Sequence, residues 1–136
     1  MKDRMMRAEG GGRAFFGEPT DFHTDEIRGK ATSIVIKGDT VIPEGVIESW
    51  DISEKQNGSV IAYIEDDGTD SATYKLTIGG EGKIIVNTNM HNYFQLFTSC
   101  TTMDLTYLDT SLTTNMNRMF MFSSNLTTLD LSNFNT

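Results

Sequence analysis

A mainly β fold is predicted for this chain by two observations. Short runs rich in Val, Ile, Thr and Tyr, separated by turn residues, fill 32–86, and from residue 87 a stretch rich in Thr, Asn, Leu, Met and Phe repeats itself without a gap. The first implies a small β domain and the second a stack of short strands following it. Ahead of both lies a charged, glycine-rich start that fits neither.

That start, residues 1–30, reads as an extended N-terminal arm. Its first thirteen residues hold Lys2, Arg4, Arg7 and Arg13 against Asp3 and Glu9, and GGG at 10–12 forms a joint free of side chains. Composition alone reads as a loose tail, whereas an ordered arm of this kind is expected to lie against a partner, with the four basic residues as the anchor.

Residues 31–86 read as a β-rich capping domain. TSIVIK at 32–37 is β-branched, and in TVIPEGVIESWDI, Pro43 and Gly45 break one strand from the next. SVIAYIE (59–65) and ATYKLTIG (72–79) flank a turn at Asp67-Gly68, the pattern of a hairpin. Tyr74, Leu76 and Ile78 alternate with Thr73, Lys75 and Thr77, so one face of that strand is wet. KIIV at 83–86 is a further strand.

Residues 87–136 contain two units. NTNMHNYFQLFTSCTTMDLTYLDT (87–110) aligns without a gap on TTNMNRMFMFSSNLTTLDLSNFNT (113–136), a period of 26 residues. Thr88, Asn89, Met90, Phe94, Thr101, Thr102, Asp104, Leu105 and Thr110 recur as Thr114, Asn115, Met116, Phe120, Thr127, Thr128, Asp130, Leu131 and Thr136. A period in the twenties with L-x-x-L-x-L marks a leucine-rich-repeat (LRR) solenoid. Each unit is expected to place a short strand near 102–106 or 128–132 after a helical turn that buries Tyr93, Phe94 and Phe97, or Met116, Met119 and Phe120. A single unit cannot bury its own apolar side, so the units share a core. A bare second rung would expose Leu126, Leu129, Leu131 and Phe134. The pattern is therefore expected to continue past Thr136 or to be covered by a partner.

NMNRMF followed by LTTLDLSNFNT resembles the repeat of the BspA-like leucine-rich-repeat surface proteins of bacteria and phages. SWDIS (49–53), GSVIAYIEDDG (58–68) and YKLTIGGEGKIIVN (74–87) are similar to the segment that precedes such repeats, so the resemblance covers about 48–136. It implies a non-catalytic recognition or adhesion role. Tyr93, Tyr107 and Cys100 stand where the second unit has Met119, Asn133 and Leu126, so the first unit is expected to be a transitional rung fused to the cap.

The remaining chemistry argues against other classes. A net charge of −8 and a pI near 4.6 disfavour nucleic acid. A single cysteine, Cys100, excludes an internal disulfide and takes a leucine's place in the repeat, so it reads as core. His23 in DFHTDE lacks a second imidazole, and His91 reads as a capping residue. EDDGTDS (65–71) misses the EF-hand register and reads as a turn, and GGEGK (79–83) lacks the phosphate-loop pattern and also reads as a turn. No run has the length of a membrane span or the build of a secretory leader. No catalytic residue, metal or cofactor is expected.

The expectation is a non-enzymatic recognition or display module on a larger assembly, best a phage virion, held by its arm. Its contacts with a host-surface protein or glycan are expected on the strand face, at Thr102, Asp104, Thr106, Thr128, Asp130 and Ser132. A homo-oligomer located on a virion or cell surface is expected, without nucleic acid or membrane insertion. The alternatives are a fragment of a bacterial cell-surface adhesin and a purely structural capsid or tail accessory protein.

Overall fold

The computed structural model describes residues 6–8, 22, 24–53, 57–69, 71–81, 84–86, 96–105, 107–109 and 127–130. Its elements are β1 (Met6–Ala8), α1 (Asp25–Lys30), β2 (Ala31–Lys37), β3 (Glu48–Asp51), β4 (Val60–Asp66), β5 (Tyr74–Gly80), β6 (Ile84–Val86), β7 (Thr102–Asp104), β8 (Leu108–Asp109) and β9 (Thr128–Asp130). The fold is mainly β. A mixed open sheet runs in the order β3-β4-β5-β2-β7-β9, and a smaller sheet in the order β1-β6-β8. Pairing is antiparallel from β3 to β5 and parallel from β5 through β2 and β7 to β9.

The β4–β5 hairpin forms as the turn at Asp67-Gly68 predicts, with Gly68 at φ 84, a conformation that glycine adopts without strain. Two local readings change. The run TVI at 40–42 is not a strand but part of a loop, 38–47, because the loop is tied down by side chains. Lys37 Nζ donates to the Val41 carbonyl at 2.6 Å and pairs with Asp39 at 3.0 Å, and Asp39 Oδ1 accepts the Val41 N–H at 3.0 Å. Gly79 and Gly80, read as turn, are the end of β5, where the missing side chains let other parts of the chain approach closely.

Part of the expected arm belongs to the fold. Met6–Ala8 pair antiparallel with β6, Phe22 is wholly buried, and 25–30 form α1. Thr24 caps that helix by accepting the Ile27 N–H, with Asp25 and Glu26 in its first turn and Arg28 and Lys30 in its last, in the sense the helix dipole favours. A helix of six residues is too short to stand alone. Buried Ile27 holds it to the core, which also explains why periodicity did not reveal it. Lys2, Arg4, Arg13 and GGG lie outside the described residues.

The order of the chain is not the order of the sheet. β2 sits between β5 and β7, so the strand beside the first repeat strand comes from residues 31–37 and not from KIIV. Sheet and core therefore continue across the expected boundary at 86/87. Ile34 and Ile36 of β2, Leu76 and Ile78 of β5, and Met103 and Leu105 of the repeat share one apolar cluster with Phe22, Phe97 and Cys100. Trp50 packs against it, its ring 6.5 Å from that of Phe22.

A threonine ladder ties the parallel strands together. Thr101 donates both its N–H (3.0 Å) and its hydroxyl (3.3 Å) to the Thr32 carbonyl, and Thr127 does the same to the Thr101 carbonyl at 2.8 and 3.1 Å. One step earlier, the Thr32 hydroxyl lies 3.2 Å from the Tyr74 carbonyl and 2.9 Å from Asp67 Oδ2. Thr101→Val keeps the shape and the N–H but loses the hydroxyl bond. It is expected to lower stability by about 0.5–1.5 kcal/mol in denaturant unfolding.

Candidate recognition surface

The face of the sheet turned away from the core is built by alternation. In β2, Ile34 and Ile36 point inward while Ser33, Val35 and Lys37 point outward. The register sets Ser33 beside Thr102 and Val35 beside Asp104 on one side, and Lys75 and Thr77 beside them on the other. Thr102 and Asp104, two of the expected contact residues, are exposed on β7 around buried Met103. Thr128 and Asp130 are their register partners on β9, so the alignment of the two repeats recurs as strand pairing. Thr106 and Ser132 lie outside the described residues. Of the expected anchors, Arg7 lies on β1 opposite Ile85.

Ser33 and Val35 join this face although sequence reasoning missed them, beside Thr77, which alternation puts on the wet face of its strand. The signal was available: T-S-I-V-I at 32–36 has the pattern of T-T-M-D-L at 101–105 and T-T-L-D-L at 127–131. The intervening hairpin hid it. The helical partner follows suit, since Ser99 in the turn before β7 donates to the Gly29 carbonyl of α1 at 2.6 Å.

Loop 38–47 covers the other half of the face. Its Asp39 carbonyl lies over Gly79, 2.2 Å from where a Cβ would stand. Beneath it Lys37 Nζ sits 5.2 Å from the centre of the Tyr63 ring. Burial disfavours the Lys37 charge, but the bonds to Asp39 and Tyr63 outweigh it and raise its pKa. The bond from Lys37, with the Val41 N–H, holds the Asp39 carboxyl below its ordinary value.

At the upper edge, Asp67 organises the β4–β5 turn. It accepts from the hydroxyls of Thr73, Thr69 and Thr32 and from the Thr69 N–H, and these bonds hold its carboxyl well below the usual carboxylate range. A carboxylate whose folded pKa is depressed stabilises the fold above its unfolded pKa of about 4, and that contribution is lost as pH falls through the folded value. Asp67→Asn is therefore expected to lower stability at neutral pH and to flatten the loss of stability below about pH 4, read by unfolding across a pH series.

Cys100 is buried, its Sγ lies 3.2 Å from the Thr102 carbonyl, and burial pushes its thiol up to about 11, so it is a neutral thiol at pH 7. Among the described residues no group of three His, Cys, Asp or Glu side chains is placed to hold a metal ion, and no helix is long and apolar enough to cross a membrane.

No known family model matches the chain, and no curated protein or solved structure is significantly similar to it.

Proposed function

We propose that the chain is a non-enzymatic recognition or display module of BspA-like leucine-rich-repeat type, held on a larger assembly by its N-terminal arm. A phage virion is the assembly favoured, on the resemblance of NMNRMF and LTTLDLSNFNT. One observation carries the reading. The 26-residue period of the sequence coincides with the parallel register Thr102↔Thr128 and Asp104↔Asp130, so equivalent repeat positions are neighbours, as in a solenoid. β2 acts as the rung beneath them, and its outward Ser33 and Val35 extend the same row.

A flat row of hydroxyls and a carboxylate on hydrogen-bonded strands is rigid, which lowers the entropy cost of holding a ligand. The partner class is a surface protein or glycan of the host. Thr102→Arg with Asp104→Arg places bulk and charge on this face at exposed positions. The pair is expected to lower binding to host-surface glycan and protein arrays at least about tenfold, a change of about 1.4 kcal/mol, with the β signal in circular dichroism retained. Array binding that ignores both substitutions, or no binding at all, would overturn the assignment.

A further inference from the structure

The geometry points to a second interaction surface, loop 38–47 with the start of β3, which docks a protein partner presenting an apolar patch rimmed by lysine and arginine. It is independent of the sheet-face reading. Val41, Ile42 and Ile47, three large apolar side chains within one ten-residue loop, are 66%, 40% and 51% exposed. They are not there through slack. Lys37 and Asp39 fasten the loop at Val41, the Asp39 backbone is pressed onto Gly79, and the Ile47 N–H donates to the Ile64 carbonyl at 2.9 Å. A segment fastened through its backbone and polar groups, with its apolar side chains turned outward, is preorganised for contact.

Charge decides the kind of partner. Asp39, Glu44 and Glu48 flank the three apolar residues along the chain and are exposed, and the sequence has no basic residue between Lys37 and Lys55. Lys37 itself is engaged by Asp39 and the Val41 carbonyl. The surface is thus an apolar centre with an acidic rim, complementary to an apolar centre with a basic rim. Nucleic acid and anionic lipid are repelled by it. Two copies meeting loop to loop would bring together the four carboxylates of Glu44 and Glu48 beside two Lys37–Asp39 pairs, in a chain already at −8.

The test selects ligands from a random dodecapeptide display library against the whole protein and measures their binding to the wild type, to Val41→Asp with Ile42→Asp, and to Thr102→Arg. The selected peptides are expected to combine apolar residues with Lys or Arg. They should lose at least about tenfold in affinity with the loop variant, keep it with Thr102→Arg, and weaken between about 50 and about 500 mM salt. Both loop positions are exposed, so an unchanged thermal midpoint shows that the variant is folded. Peptides that are acidic or insensitive to the loop substitutions overturn the proposal, as does a selection yielding no binder. A wild-type dimer in sedimentation that the loop variant abolishes also overturns it, in favour of a second copy as the occupant. Loss of peptide binding with Thr102→Arg alone would return the site to the sheet face and leave the loop without this role.

Discussion

Replacing Ile34 by alanine is expected to lower the free energy of unfolding by about 2–5 kcal/mol, the range for truncating a fully buried aliphatic side chain. Ile34 is wholly buried in the middle of β2, with Leu76 as its register partner on one side and Met103 on the other. The cavity would therefore open where the hairpin and the first repeat strand meet. A loss of this size is a large fraction of the stability of a small domain. The useful readout is spatial as well as thermodynamic. Hydrogen exchange should accelerate at residues 101–104 and at 74–78 together, because one side chain supports both. If only the hairpin loosened, β2 would not be the element joining the repeat to the rest of the fold.

Gly79→Ala is the second large effect, and its mechanism is different. The new methyl would stand 2.2 Å from the backbone oxygen of Asp39, which cannot rotate away as a side chain end could. Either loop 38–47 lifts or β5 shifts, at a cost of about 1–3 kcal/mol, as for overpacked sites. Lifting the loop would also break the Lys37 contacts with Asp39 and Val41 and expose Tyr63, so faster exchange of the Val41 amide should accompany the loss of stability. Gly29→Ala provides the contrast. Nothing lies within 4 Å of a Cβ built there, and the residue is helical, so this substitution should raise stability by up to about 1 kcal/mol. Two glycine substitutions of opposite sign in one chain would show that the close approach, and not glycine itself, sets the outcome.

These effects also explain why the apolar loop and the proposed recognition face can be tested separately. The Gly79 substitution acts where β5 meets the loop, while Thr102 and Asp104 lie on β7, beyond β2. Substituting exposed Thr102 leaves the bonds that fasten the loop in place. Effects on the two kinds of binding should then divide cleanly between the two sets of variants.

Much of this architecture could be read from local pattern. The hairpin strands, the strand at 32–37 and the short strand at 84–86 lie where β-branched runs and turn residues put them, and the starts of the repeat strands at 102 and 128 lie where the 26-residue period puts them. These are properties of neighbouring residues, and alternation with a turn suffices to define them. Thr102 and Asp104 could be placed on an exposed face for the same reason. What the chain pattern did not disclose depends on residues far apart. Only the folded sheet inserts β2 between the hairpin and the repeat, because a parallel neighbour can come from any distance along the chain. Only the core makes a six-residue helix at Asp25–Lys30 worth forming, since one turn and a half has too few hydrogen bonds to repay its own ordering. And only tertiary contact turns TVI at 40–42 from a plausible strand into an outward apolar loop, through a lysine bond at its base and a glycine beneath its backbone. Sequence determined where the paired strands lie and which positions repeat. The tertiary structure decided which segments lie side by side, because pairing is governed by which surfaces can be buried together rather than by order along the chain.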